Sequence, residues 1–263
     1  MQEKYTLITG ASQGMGKQMA DECAKRGRNL LLVALPNENL KEFSEHLIRQ
    51  YNIKADYFEC DLIIKKSVEN IFKWTQENNY AIDFLINNAG FGGAGSFEDY
   101  TFEYVNNMID LNIRATTNLT HLFIPELKKN TPSYILNNAS MVANFPCPYK
   151  TIYAATKAYV KNFTRALREE LKPQGISVSV LQPGATPTNK IVKNQINEGG
   201  FFFKISVTSI EQVAKKAIDR TLKGQAIIVP GYKNRMSLRF IKLVPMIILQ
   251  RIIANAASSI KQN

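Results

Sequence analysis

The chain has 263 residues, is 45% hydrophobic, and carries 33 Lys and Arg against 22 Asp and Glu, for a formal net charge of +11. That length and apolar content suit one α/β domain with a substantial core, and the basic surplus favours anionic partners. With no recognition motif and no aromatic–basic interleaving, charge alone makes no case for a nucleic-acid binder. The scattered Cys23, Cys60 and Cys147 form no CxxC pair and fit a reducing compartment better than a disulfide framework. His46 and His121 lack metal-ligand spacing, so no metal site is expected.

From the N-terminus, MQEKYTLITG lacks the long apolar region of a signal peptide and reads as a mature cytoplasmic start. KYTLITG predicts a short apolar strand ending at Gly10, and KQMADECAKRG a helix stopped by Gly27. NLLLVAL predicts a second buried strand, and NENLKEFSEHLIRQY a helix with Asn37 as N-cap after Pro36. ADYFECDL and IDFLINNAG predict strands on either side of a helix over Val68–Glu77. Further helices are expected over Tyr104–Leu122 and Tyr153–Leu171, and PSYILNNAS, GISVSVLQPG and AIIVPG give three more strands. Near-continuous apolar strands spaced by amphipathic helices indicate a doubly wound parallel sheet, Rossmann-like, with helices on both faces. No internal repeat, low-complexity linker or second domain is visible. The domain is expected over residues 1–232, with a substrate lid at 189–206 and a basic amphipathic tail at 233–263.

TGASQGMG, Thr9 to Gly16, stands at the turn from first strand to first helix. Gly10, Gly14 and Gly16 permit a tight turn and close approach of a pyrophosphate, and the helix N-terminus behind them supplies free N–H groups. Downstream, YAATK sets Tyr153 and Lys157 four residues apart, on one helix face, thirteen residues after Ser140. Such a pair also occurs on ordinary surface helices, and an ordinary strand–helix loop can carry glycines.

Taken together, Thr9-Gly10-x-x-x-Gly14-x-Gly16, NNAG at Asn87–Gly90, Leu111-Asn112, Ser140, Tyr153-x-x-x-Lys157 and PGATPT at Pro183–Thr188 resemble the short-chain dehydrogenase/reductase family in order and spacing, over residues 4–232. The resemblance implies that Tyr153 is the general acid/base for a carbonyl or alcohol. The ammonium of Lys157 and a positive nicotinamide would lower its pKa from the usual value of about 10. It also implies that Lys157 binds the nicotinamide ribose, that Ser140 orients the substrate oxygen, and that Asn112 positions a water in a proton relay. Cofactor contacts carried over by resemblance are Gly10, Ser12, Gln13, Gly14, Met15 and Gly16; Asp61, at the adenine amine, with Leu62; Asn88, Ala89 and Gly90; Pro183 and Gly184; and Thr188. FGGAGSF, Phe91–Phe97, reads either as a border of the substrate mouth or as a flexible connector.

The second strand ends in Ala34-Leu35-Pro36. The carboxylate of NAD-preferring members and the arginine of NADP-preferring members are both absent there. With nothing opposing a 2′-phosphate, and with Ser12, Gln13, Asn37 and Lys17 to receive it, NADP(H) is expected ahead of NAD(H). The leading reading is an NADP(H)-dependent oxidoreductase that reduces a ketone on a ketoacyl, sterol or sphingoid-type molecule. A NAD-dependent alcohol or hydroxysteroid dehydrogenase stays open. A catalytically silent nucleotide sensor is disfavoured because Ser140, Tyr153 and Lys157 are all present, and a longer epimerase or dehydratase by the glycine spacing. Phe201, Phe202 and Phe203 either wall an apolar pocket or pack the lid on the body. Resemblance implies a homo-dimer or tetramer built on the two long helices, and an acidic carrier protein would suit the charge.

From Lys233 on there are six basic residues and no acidic one, so the tail supplies +6 and the rest of the chain 11 − 6 = +5. Arg235, Arg239 and Lys242 share a helix face, Leu238, Ile241, Val244, Ile248, Leu249 and Ile252 are apolar, and Pro245 should kink or break the segment. The charges argue against a spanning helix, which needs about 20 largely apolar residues. Two readings remain: a helix peripheral to a membrane or covering a lipid-like substrate's entrance, or one docked on protein.

Overall fold

The computed structural model describes residues 2–187, 207–241, 243–245 and 247–251. Thr188, the expected lid with its three phenylalanines, Lys242 and Ile252 lie outside them. Short Leu, Ile and Val runs form the strands: β1 (Lys4–Thr9), β2 (Asn29–Ala34), β3 (Ala55–Glu59), β4 (Ala81–Asn87), β5 (Ser133–Asn138), β6 (Ile176–Leu181) and β7 (Ile227–Ile228). They make one seven-stranded sheet, entirely parallel, in the order β3-β2-β1-β4-β5-β6-β7. The intervening helices are α1 (Gly14–Ala24), α2 (Leu40–Tyr51), α3 (Ser67–Glu77), α4 (Phe102–Ile109), α5 (Thr116–Lys129), α6 (Thr151–Leu171), α7 (Ile210–Leu222) and α8 (Tyr232–Ile241).

A parallel sheet has to be covered on both faces, and it is. Met19, Cys23, Leu40, Phe43, Leu47, Val213 and Ile218 bring α1, α2 and α7 onto one face, over Ile8, Leu32 and Phe84. Val68, Ile71, Leu119, Phe123, Leu127, Leu167 and Leu171 bring α3, α5 and α6 onto the other, over Leu7, Leu31 and Leu85. Each fully buried Leu, Ile or Phe contributes about 1.5–3 kcal/mol relative to exposure. The strand order reverses between β1 and β4, which opens a crevice at their carboxyl ends, where open α/β sheets bind ligands.

Three local expectations are corrected. The first helix begins at Gly14, three residues before the predicted start, so Gly14 and Gly16 lie within its first turn. A Cβ on Gly16 would stand 2.6 Å from Asn88 Nδ2 and 2.7 Å from the carbonyl carbon of Gly10. Without one, the turn packs directly on the preceding loop. The second helix begins at Leu40, and Asn37 does not cap it: Asn37 and Asn39 take left-handed backbone angles, φ 64° and 55°, and form a turn ahead of the helix. Asparagine is among the few non-glycine residues that enter this region readily. Finally, the long helix before β5 is interrupted. Between α4 and α5 residues Asp110–Ala115 form a π turn, and the whole runs from Phe102 to Lys129. Pro245 behaves as expected: α8 ends before it, and residues 247–251 resume as helix after it. No helix among the described residues is long and apolar enough to cross a membrane.

Candidate active site

The described residues of the motifs follow the carboxyl ends of the strands or lie on the helices above them. After β1, Gly10 has φ +63°, and the side chain of Asn88 ties the loop to β4, its Nδ2 donating to Thr9 O at 3.0 Å and Gly10 O at 3.2 Å. The amides of Asn88 and Ala89 both donate to Thr9 Oγ1 at 3.0 Å. Asn138 Nδ2 completes the span by donating to Asn88 Oδ1 at 3.0 Å. A chain of side-chain amides thus fixes the ends of β1, β4 and β5 relative to one another. Met15 packs on the core beneath the glycine turn, while Gln13, at the N-cap of α1, makes no capping bond.

On the other side of the crevice, α6 carries Tyr153 and Lys157. Lys157 is 5% exposed and its Nζ donates to the backbone oxygen of Asn138 at 2.8 Å. It lies 5.9 Å from the centroid of the Tyr153 ring. Burial brings the Lys157 ammonium down to about 8. Burial also raises Tyr153, while a hydrogen bond with Ser140 works in the opposite direction. The lowered phenol expected from the sequence is therefore not a property of the polypeptide alone: desolvation outweighs the hydrogen bond with Ser140. A protonated phenol is the form that can donate. Ser140 is 9% exposed and opens the short turn Met141–Asn144, its Oγ accepting from Val142 N at 3.3 Å.

Asn112 sits in the π turn, 1% exposed. Its Nδ2 donates to Phe91 O at 2.9 Å and Thr156 Oγ1 at 3.0 Å, and its Oδ1 accepts from Phe91 N at 3.1 Å. The side chain is thereby committed to holding the loop after β4 against α6. Thr156, absent from the sequence reading, is the partner on α6; its position between Tyr153 and Lys157 was the available signal. A Cβ on Gly90 would stand 2.7 Å from Asn112 Oδ1, and one on Gly92 2.7 Å from Tyr153 Cε2. The glycines of this loop let it lie against Asn112 and Tyr153. The loop's far end borders an open depression of about 400 Å³ lined by Ser96, Phe97, Glu98, Pro148, Tyr149 and Thr151. Gly95 N donates to Tyr149 O at 2.8 Å, and Tyr149 is held at φ 61°.

The remaining positions are less direct. Asp61 accepts from Ile63 N at 2.9 Å and Leu62 buries its side chain in the core, so Leu62 can offer a ligand only backbone. Pro183 O accepts from Met141 N at 3.0 Å, which joins the loop holding Gly184 to the Ser140 turn. Glu38 changes the electrostatics. Ser12 Oγ donates to Glu38 Oε2, so a carboxylate reaches the glycine loop although none stands at Ala34 or Leu35. The left-handed turn at Asn37 and Asn39 brings it there. Lys17, expected to add charge for a phosphate, stacks its ammonium 4.7 Å from the Phe43 ring centroid.

Residues 4–199 match the family described as short chain dehydrogenase. The chain belongs to that family. This short-chain dehydrogenase is an oxidoreductase, and it has relatives of several specificities. It is 32% identical to 11-beta-hydroxysteroid dehydrogenase-like 3 of Arabidopsis thaliana over 86% of this chain and 72% of that protein. It shares 27% identity, with a TM-score of 0.80 and 92% coverage of each chain, with a short-chain dehydrogenase from Sphingobium yanoikuyae solved in complex with NADPH. The same identity and coverage, with a TM-score of 0.76, relate it to the bulky-bulky ketone specific alcohol dehydrogenase from Comamonas testosteroni. The family implies a nicotinamide dinucleotide, and the crevice fits one. The first turn of α1 has no side-chain cap and no acidic residue, which leaves backbone donors for a pyrophosphate. Asn138 Oδ1 is buried without a hydrogen-bond partner among the described residues.

Proposed function

We propose that this dehydrogenase reduces a ketone on an apolar molecule to a secondary alcohol with NADP(H), Tyr153 being the proton donor. The observation that carries the reading is the meeting of Ser140, protonated Tyr153 and buried Lys157 beside the crevice between β1 and β4. When bound, the nicotinamide supplies or takes up the hydride. Ser140 Oγ holds the carbonyl oxygen, and Tyr153 Oη gives that oxygen its proton. The Lys157 ammonium, steadied by Asn138 O, offsets negative charge on the phenol oxygen as the proton leaves. Asn112 keeps the Phe91 loop in place through its three hydrogen bonds. The nucleotide's place is the set Gly10, Ser12, Gln13, Gly14, Met15, Gly16, Asp61, Leu62, Asn88, Ala89, Gly90, Pro183, Gly184 and Thr188, the last outside the described residues.

The NADPH complex of the Sphingobium relative supports NADP(H). Glu38 on Ser12 supports the second reading, a NAD-dependent alcohol or hydroxysteroid dehydrogenase, because a 2′-phosphate has to displace that carboxylate. Phe97, Pro148 and Tyr149 line the depression next to α6 and suit a ketoacyl, sterol or sphingoid-type substrate, with an acidic carrier protein as one means of presentation. Exposed Phe102, Ile109 and Tyr159, on α4 and α6, support a homo-dimer or tetramer. The free thiols of Cys23, Cys60 and Cys147 suit a cytoplasmic setting. The test is NADPH oxidation against ketosteroid, ketoacyl and ketosphinganine panels with wild type and Tyr153→Phe. The variant should lose about 10²–10⁴-fold in turnover on whichever ketone is accepted; equal rates would end this reading.

A further inference from the structure

Beyond Gly231 the chain carries a surface that the chemistry above does not use. α8 turns one side inward. Asn234 is 2% exposed, its Nδ2 donating to Pro230 O at 3.0 Å and to Thr208 Oγ1 at 3.2 Å, and Leu238 is buried one turn later. Past Pro245, Leu249 is buried again. Around these anchors large apolar side chains face solvent: Tyr232 at 68% exposure, Phe240 at 61%, Leu243 at 79%, Ile247 at 69% and Ile248 at 51%. Single exposed apolar residues are ordinary, but this many in one short segment mark an interaction surface. Interspersed with them, Lys233, Arg239 and Arg251 are exposed as well, and no acidic residue occurs from Lys233 to the end of the sequence.

We propose that this face binds an anionic lipid bilayer. Phe240, Leu243, Ile247 and Ile248 would enter the acyl boundary, with Lys233, Arg239 and Arg251 among the phosphate headgroups. The pairing of apolar and cationic groups selects this occupant. A second copy would bring two uniformly basic segments together, and like charges across an interface oppose association. An acidic protein would answer the cations and leave the isoleucines and Leu243 unexplained.

The surface is also joined to the catalytic end of the sheet. Thr208, which accepts from Asn234, donates its own N–H to Ala185 O at 3.1 Å. Ala185 follows Pro183 and Gly184, and Pro183 O holds the turn that begins at Ser140. Bilayer contact at α8 therefore lies close along the bonded structure to the loop after β6. If the proposed reduction is correct, an apolar substrate dissolved in the bilayer would meet the enzyme near that end; this consequence rests on the proposed function, the bilayer contact does not.

The experiment is co-sedimentation of the full-length protein, without nucleotide, with vesicles of phosphatidylcholine alone and of phosphatidylcholine mixed with phosphatidylglycerol. Three variants accompany it: Phe240→Ser/Leu243→Ser/Ile247→Ser, Lys233→Gln/Arg239→Gln/Arg251→Gln, and Tyr153→Phe. The first two alter only exposed side chains, so folding is retained and is checked by thermal melting. Wild type should pellet with the anionic vesicles and stay in solution with the neutral ones. At about fivefold per cation, the triple Gln variant should bind roughly a hundredfold more weakly, and the triple Ser variant should also lose binding. Tyr153→Phe should pellet like wild type whatever its activity, which separates this proposal from the catalytic one. Wild type remaining in the supernatant with anionic vesicles at low salt overturns the proposal. So does undiminished binding by the triple Ser variant, or a triple Ser variant whose only change is a smaller mass in sedimentation velocity.

Discussion

Lys157 holds a charge where its surroundings oppose one. Its ammonium is buried with a single described partner, the oxygen of Asn138, and titrates near 8 instead of its usual 10.5. Because the unfolded chain keeps its proton up to about 10.5, it binds more protons than the folded one between the two values, and wild-type stability should rise with pH across that window. Below about 8 the full cost of burial is present. Lys157→Met should therefore melt higher than wild type at pH 7, by on the order of 1–3 kcal/mol after the lost hydrogen bond is counted. The gap should narrow as pH rises through the window, and ketone reduction should be lost; a variant that melts lower at pH 7 would contradict this. In wild type, kcat/KM for reduction should fall as pH passes about 8 and the ammonium deprotonates. Glu38 is the other residue with a directional consequence. Removing its charge with Glu38→Gln should tighten NADPH several-fold and leave NADH nearly unchanged, read by titrating both nucleotides by fluorescence. That Tyr153 and Lys157 share one face was legible from helical spacing; the roles proposed for them come from the family resemblance. Glu38 was not legible, because its contact with Ser12 depends on two left-handed asparagines that the periodic pattern read as a helix start. Asn138 was hidden for a different reason: what it contributes to Lys157 is a backbone oxygen, and any residue type carries one.

Elements place these groups, and the loop after β4 is the one that bears most directly on Tyr153. Asn112 holds its start at Phe91, Tyr149 holds Gly95, and Gly92 lies against the phenol ring. Gly92→Ala would set a methyl 2.8 Å from Tyr153 Cγ. The ring has to shift, and an ångström of misplacement costs about a hundredfold in rate. The expected outcome is a large loss in kcat with nucleotide affinity and melting temperature nearly unchanged; an unaltered kcat would mean the loop does not position Tyr153. The strands were readable from apolar runs and the long helices from their periodicity, to within a few residues at their ends. The π turn at Asp110–Ala115 was not, since it is one widened turn inside a longer helix, and six residues are too few to show a period of their own. β7 shows the reverse case: AIIVPG reads as a strand, yet only Ile227 and Ile228 pair with β6.

At the scale of the whole molecule, α4 and α6 leave Phe102 85% exposed and Ile109 and Tyr159 each 39% exposed. If these faces join copies of the chain, Phe102→Ser/Tyr159→Ser should shift the mass in solution toward that of one 29.7 kDa chain while the melting transition at high concentration persists in form. A wild type that already sediments as a single chain would dismiss the oligomer. The strand order has a further consequence, in the time domain. β1 lies between β2 and β4, and its register with β4 joins Tyr5 to Ile82 and Leu7 to Leu85. During synthesis from the N-terminus, one edge of β1 therefore waits for some seventy residues of chain before its partner exists, as the parallel crossover through β2 and β3 requires. Until β4 and the helices α5 and α6 that follow it emerge from the ribosome, Leu7 and Leu31 lack Leu85, Leu119, Phe123 and Leu167, which share their side of the core. Nascent chains stalled short of Asn87 should be aggregation-prone and sensitive to protease, and chains stalled well beyond it should acquire resistance in a single step.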